Sequence, residues 1–552
     1  MSGTREGILG EIRKWIKNPA AHQICWITGK AGSGKSSIAK TVCVETENDS
    51  AILLGGSFFC SRSSRLAAQR DVRCVVPTLT QLLAQKSTGF RKALFETIDS
   101  GDQYKEVAVQ IEKLLYTPLL ALKDSSLSIL FVIDALDECG GETSDGILND
   151  QTSRDIVTSM LEALTSLTQS DVKIPIKFLV TSRPETHIRD TSVSDSNHSQ
   201  IFRLYAVNKT DVDADIHRYI EETLDTKLSR KPKIRVKFTE RDIADLVLLC
   251  DGLFIVAATA LKHIFVAGVD AAAAKFDKLL NASRDGFDAG VAAPLDELYA
   301  VILADTVGAD GHDVELPTLQ RVLASILSAR VTLSITALGD LLELDVRAFL
   351  SHLHAVVHVP EDDDEPGLRT VHASFGDYLF DRASDRIRIY RSFGHEVLAH
   401  ACFDVMEKRL HFNISQSHSS YESNASKQSD NIPLSLAYAC LHWPHHITAP
   451  SNPALDLKIG RIFRSKLLFW LELLSIMRRV GLAAGLLRIA ASAVSLLPQH
   501  SYIYSVSHRS KIPWFRDSSI MRTCSWLRLV RRSNGALRTS ISRPSPSQTR
   551  TR

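Results

Sequence analysis

Eight consecutive residues carry the clearest chemistry in this chain. Gly29-Lys30-Ala31-Gly32-Ser33-Gly34-Lys35-Ser36 fits the phosphate-loop spacing G-x-x-x-x-G-K-[ST] at every fixed position. The glycines let the backbone curl until successive N–H groups converge on phosphate oxygens. A helix opening at Lys35 would turn the positive end of its dipole on the same anion. In such a loop Lys35 reaches the β- and γ-phosphates, the Ser36 hydroxyl coordinates Mg²⁺, and the backbone from Gly29 to Ser37 lines the cradle.

Carboxylates and a guanidinium recur where this chemistry needs them. Ser128–Asp134 is an apolar run that ends in an acid. A buried strand of that kind places Asp134 beside the phosphate loop, where it holds Mg²⁺ through water. Three and four residues on, Asp137 and Glu138 are candidates to orient or activate an attacking water. A further apolar run, Lys177–Thr181, leads into Ser182-Arg183-Pro184-Glu185. Arg183 there is placed to sense a γ-phosphate, because a guanidinium forks onto phosphate oxygens.

The elements that must hold these residues are legible around them. Ile24–Thr28 is a short apolar run suited to a buried strand, and Ser37–Val42 continues with helical spacing. Ahead of them Ile8, Ile12, Trp15 and Ile16 share one face of a helix that Asn18-Pro19 ends. Strand-like runs at Ile24–Thr28, Ala51–Cys60, Ser128–Asp134, Ile176–Thr181 and Ile201–Tyr205 alternate with helical patterns near 35–46, 72–86, 106–122 and 152–168. The alternation predicts an α/β fold: a parallel sheet with helices on both faces. The polar loops 140–151 and 190–200 read as exposed and mobile. Beyond 207 the patterns are helical. Val356–Val359, an acidic turn 361–365 and Leu368–Val371 then read as a hairpin before a helix from Ala373, the order of a winged-helix domain. Residues 388–500 are helical again, broken by a polar loop at 415–432.

The predicted domains are a leader helix (1–23), a P-loop NTPase domain (24–207), a helical domain (208–310), a winged-helix-like domain (311–387), a helical spacer (388–497) and a tail (498–552). Lys and Arg number 65 against 63 Asp and Glu. The tail is uneven: residues 501–552 hold eleven basic residues and one acid, leaving 54 and 62 in residues 1–500. Such a tail reads as a disordered end, or as the last segment of a truncated gene, ahead of a nucleic-acid or lipid contact; no specific nucleic-acid binding is expected. Nine scattered cysteines without a C-x-x-C pair fit reduced thiols in the cytoplasm. The apolar stretches 246–268 and 480–497 carry recurring charges and read as buried helices rather than membrane spans.

Together, Gly29–Ser36, Asp134 with Asp137-Glu138, and Thr181-Ser182-Arg183-Pro184-Glu185 resemble the NACHT branch of the signal-transducing ATPases with numerous domains (STAND). That branch includes the NOD-like receptors. The form here is similar to fungal proteins with a nephrocystin-3-like N-terminal NTPase. Gly3-Thr4-Arg5-Glu6 resembles the element that approaches base and ribose, which implies a nucleotide contact for Arg5. Cys250-Asp251-Gly252-Leu253-Phe254 resembles a helix start where relatives have Gly-Leu-Pro, with Phe254 in place of the proline. His372 stands where the winged-helix histidine of this class touches the β-phosphate of ADP. The resemblance implies a signalling switch in innate immunity, non-self recognition or cell death, slow hydrolysis, and assembly with itself or related NACHT proteins. Relatives usually carry an effector module before the Gly-Thr-Arg element and repeats after the spacer.

ATP is favoured over GTP, because the strand at 177–181 leads into Thr-Ser-Arg-Pro instead of a guanine-reading motif; the resemblance admits GTP. A ring-forming ATPase would have two adjacent acids closing its strand, whereas Ala135 and Leu136 separate Asp134 from Asp137. A non-catalytic scaffold stabilised by nucleotide, or a truncated regulator, is the other alternative.

Overall fold

The computed structural model describes residues 3–62, 64, 67–98, 104, 106–121, 128–139, 142–143, 146–147, 150–168, 176–229, 238–266, 268, 271–287, 294–308, 315–360, 367–418, 432–447 and 453–495. The basic tail 498–552, much of the loop 140–151, the acidic turn 361–366 and the centre of the polar loop 415–432 lie outside them.

Five parallel strands form the sheet. They are β1 (Ile24–Thr28), β2 (Ile52–Phe59), β3 (Ser128–Asp134), β4 (Ile176–Ser182) and β5 (Ser199–Arg203), in the spatial order β2-β3-β4-β1-β5. The period of two decides which layer each side chain meets. Cys25, Ile27, Leu130, Val132 and Leu179 pack against α1 (Glu6–Lys17) and α2 (Lys35–Glu47). Ile24, Trp26, Phe131, Ile133, Phe178 and Val180 pack on the other face against α3 (Val75–Lys86), the segment 107–119 and α4 (Asp150–Thr168). Helices therefore cover both faces, which is why β3 and β4 read as nearly unbroken apolar runs. Phe131 and Phe178 stack at 5.3 Å between centroids on neighbouring central strands. Truncating either to Ala would cost about 3–5 kcal/mol.

Two details adjust the sequence reading. In α1 it is Leu9, with Ile12, Trp15 and Ile16, that is buried, while Ile8 packs at the margin. The stretch 190–200 is not simply an exposed loop. Val193 is fully buried, and Thr191 and Ser199 are buried beside it. A turn at 192–194 and the start of β5 carry them inward. Burying Val193 outweighs the polar composition that suggested exposure.

The described residues beyond the sheet are mostly helical. α5 (Lys209–Ser229), α6 (Glu240–Cys250), α7 (Phe254–Phe265), α8 (Ala272–Phe287) and α9 (Pro294–Gly308) follow the sheet. Thr239 and Asp242 form a capping box that starts α6. Next come α10 (Leu316–Ser328), α11 (Ile335–Leu342) and α12 (Val346–Leu350). An antiparallel pair, β6 (Val357–His358) with β7 (Arg369–Thr370), leads into the short helix α13 (Ala373–Asp377).

The chain divides into two compact units. One holds residues 1–327, 331–335 and 345–389, and so contains the sheet and α13. The other holds 328–330, 336–344 and 390–552. The second unit holds α14 (Arg391–Arg409), α15 (Leu434–His442), α16 (Pro453–Ile476) and α17 (Ala483–Ser495); Phe403 of α14, Trp443 just after α15, and Phe463 and Trp470 of α16 form an aromatic cluster. Asp340 of α11 pairs there with Arg409 at 3.0 Å and Ser435 at 2.9 Å. Among the described residues no helix is long and apolar enough to cross a membrane.

Candidate nucleotide-binding site

The turn between β1 and α2 has the shape its glycines permit. Gly32 and Gly34 take φ values of 73° and 94°, which favour glycine over any other residue. A Cβ on Gly32 would sit 2.0 Å from Ile255 Cγ2 at the start of α7, and the Ile255 N–H donates to the Gly32 carbonyl at 3.2 Å. At Gly34 a Cβ would meet nothing within 4 Å. The loop is thus backed by α7 at Gly32 and open at Gly34, where Ala31, Ser33 and the exposed Ser36 and Ser37 surround it.

Lys35 is buried, and its ammonium donates to the carbonyls of Gly29 (2.8 Å) and Lys30 (2.9 Å). Burial lowers its pKa, opposed by Asp137 and other acids. Across from it, Asp134 ends β3. Its carboxylate accepts from the Thr181 hydroxyl at 2.6 Å and contacts the Ser36 hydroxyl, while burial raises its pKa. The Ser36 hydroxyl and the Asp134 carboxylate, whose charge burial disfavours, are oxygen donors of the kind Mg²⁺ prefers. The buried Ser33 hydroxyl has no hydrogen-bond partner, and the space where a Gly34 Cβ would sit is open, which fits a polyphosphate. If bound, Mg²⁺ would supply charge neutralisation on the phosphate oxygens.

Ala135 has a left-handed φ of 54°, a strained angle for a residue with a Cβ. Its N–H donates to Thr181 Oγ1 at 2.9 Å, which holds the kink. The kink turns Asp137 and Glu138 toward Arg183. Asp137 accepts from the Arg183 backbone N–H at 2.9 Å and pairs with its Nε at 3.3 Å. Glu138 accepts from the Arg62 N–H at 3.3 Å. Burial, then Asp137, pushes its carboxyl up to about 6.

The structure also brings the distant residues here. Arg183 Nη1 pairs with Asp377 of α13 at 3.1 Å. Burial pulls the guanidinium down, yet the two aspartates outweigh it and its pKa rises. His372, the N-cap of α13, is depressed to about 4 by burial and then by Arg183 and Lys35, so the imidazole and these two cations share one neighbourhood. Its Nδ1 accepts from the Ser374 N–H at 3.2 Å and from the Ser374 hydroxyl at 2.6 Å, which in turn meets the Tyr299 hydroxyl at 2.8 Å. That network assigns the neutral tautomer with its proton on Nε2. Arg5 lies on the loop's other side. One guanidinium nitrogen donates to the Ser33 carbonyl at 3.0 Å, two others are buried without partners, and the group sits 5.0 Å over the Phe254 ring.

Sequence reasoning missed Thr181 as the brace of Asp134, Arg62 beside the acids, and Asp377. A threonine at the tip of a strand next to one ending in Asp was the available signal for the first. Nothing in the sequence marks Asp377, which is 194 residues from Arg183.

Residues 3–183 match the family described as nephrocystin 3, N-terminal. The chain is 22% identical over 528 residues to the vegetative incompatibility protein HET-E-1 of Podospora anserina; the match takes in 87% of this chain and 36% of that one. It therefore spans about a third of the length of the curated relative it matches. Among solved structures, a STAND protein with a tetratricopeptide repeat sensor from Pyrococcus horikoshii aligns over 90% of this chain and 58% of its own, with 12% identity and a TM-score of 0.34. Cdc6p from Pyrobaculum aerophilum aligns over 72% and 95%, with 11% identity and a TM-score of 0.29. The phosphate loop and the parallel sheet lie within or alongside the stretch 3–183 that is similar to the nephrocystin 3 N-terminal family, a P-loop fold.

Proposed function

We propose that this chain is a nucleotide-operated signalling switch whose resting state joins the phosphate loop to α13. The observation that carries the reading is Arg183, held between Asp137 of the NTPase domain and Asp377 of the winged-helix-like segment. In this reading Lys35 and the loop amides from Gly29 to Ser37 bind the β-phosphate, Ser36 and Asp134 hold Mg²⁺, and Arg5 lies toward base and ribose. His372 donates from Nε2 to ADP. A γ-phosphate competes with Asp377 for Arg183 and releases α13. Each nucleotide favours the state whose contacts it completes, and that difference is the energy of the switch. Asp137 and Glu138 position water for a slow hydrolysis that resets it. ATP is the favoured nucleotide, with GTP as the alternative.

The named relative is a vegetative incompatibility protein. By that likeness the downstream role is fungal non-self recognition or cell death, exercised from the cytoplasm through assembly with itself or related NACHT proteins. The test is to identify the nucleotide that co-purifies with the full chain and to measure native mass with ADP and with ATP. A change of mass between the two supports the switch, and Lys35→Ala should abolish it. Unchanged mass and partner binding after nucleotide is lost would make the chain a scaffold. Rapid turnover by a closed ring would make it a motor.

A further inference from the structure

Cys60 and Cys139 are 79 positions apart in the sequence, but the fold sets them sulfur to sulfur. Cys60 directly follows β2, and its N–H donates to the Asp134 carbonyl at 3.0 Å. Cys139 directly follows Glu138 and closes the short turn 136–138 through its own N–H to the Leu136 carbonyl at 3.1 Å. Both side chains are buried, at 4% and 5% exposure. Their Sγ atoms lie 2.6 Å apart, about half an ångström beyond the S–S bond length of ~2.05 Å. The two segments also run together beyond the sulfurs, since Arg62 donates to the Asp137 carbonyl at 2.7 Å and to Glu138.

We propose that Cys60 and Cys139 form a reversible disulfide that clamps the loop carrying Asp137 and Glu138 to the tip of β2. With hydrogen peroxide as oxidant the chemistry balances. One thiol attacks a peroxide oxygen, giving a sulfenic acid and one water. The second thiol then attacks that sulfur, the S–S bond forms and a second water leaves. The two sulfurs lose two electrons, the peroxide is reduced, and both thiol protons end in water. Both sulfurs are buried, so peroxide must reach them through the fold before the first attack. Cys74 is half-buried and close enough for the Cys139 charge to register on it, which makes it the competing partner.

The experiment treats the full chain with hydrogen peroxide, blocks remaining thiols after unfolding, and maps linked peptides by mass spectrometry, with Cys60→Ser and Cys139→Ser run alongside. Expected is a Cys60–Cys139 peptide that either substitution and dithiothreitol each remove. The closed loop spans 79 residues, so a rise in Tm of about 5–10 °C should accompany it. Full recovery of both blocked thiols while other cysteines oxidise would overturn the proposal, as would linkage of Cys139 to Cys74. A linked peptide without a rise in Tm would also overturn it, because the bridge would then not act as a clamp. None of these readouts depends on whether nucleotide binds.

Discussion

His372 in the first unit and His446 in the second are built alike up to their last atom. Each imidazole is neutral at pH 7, its pKa lowered first by burial. Each takes a proton from a hydroxyl relay. Tyr299 feeds Ser374, which feeds His372 Nδ1. The Arg330 N–H donates to the Tyr438 hydroxyl at 3.1 Å, and that hydroxyl meets His446 Nε2 at 2.9 Å. There the likeness ends. His446 spends its other nitrogen on His395 Nδ1 at 3.0 Å and is fully buried. His372 Nε2 has no described hydrogen bond and lies in the field of Lys35 and Arg183. A closed relay holds a core together, whereas a relay with a spare donor is shaped to receive something.

Four substitutions test the difference between the two histidines and the site beside the first. Lys35→Ala should weaken nucleotide binding about 100- to 1,000-fold, some 3–4 kcal/mol, with the circular dichroism spectrum retained. Calorimetry checks it, and a loss below tenfold would show that Lys35 does not hold phosphate. His446→Ala should cost about 2–3 kcal/mol in denaturant titrations, because Tyr438 and His395 lose their partner in the interior, while nucleotide affinity stays unchanged. His372→Ala should do the opposite. ADP affinity should fall about tenfold, or ~1.4 kcal/mol, with stability altered by less than about 1 kcal/mol. If both histidine variants merely unfolded the protein, the contrast would fail.

Glu138 adds a pH dependence of stability. Burial raises its folded pKa to about 6 from an ordinary 4.5. The native carboxyl therefore holds its proton longer than the unfolded one. Its penalty is absent below pH 4.5, grows between 4.5 and 6, and stays in place above, at about 2 kcal/mol. Glu138→Gln should flatten that window and raise stability at pH 7.5 by about 1–2 kcal/mol. Urea titrations at pH 4.5 and 7.5 check it, and an unchanged slope would place the shifted group elsewhere.

The sheet was legible because buried parallel strands leave short apolar runs between helical patterns. Ile24–Thr28 and Ser128–Asp134 were readable to the residue. Gly29–Ser36 was legible because its backbone demands glycine at fixed spacing. Asp377 was not, since an exposed-looking acid on a helix has no local mark of a partner so far along the chain. The kink at Ala135 was equally silent. Alanine is indifferent in composition, and only tertiary bonds from Thr181 hold it left-handed. The shared relay behind His372 and His446 depends on tyrosines 73 and 8 residues away, beyond any periodic pattern.

The union of Gly32 with Ile255 reaches into practice. Because the bend of the anion cradle leans on a side chain more than 220 positions downstream, its curvature is a property of the longer polypeptide. A protease fragment or expression boundary that halts at the end of the sheet would leave the turn slack and its amides misaimed. Material cut after Phe265 would keep the buttress, and a small residue at 255 would detune the cradle without touching its signature.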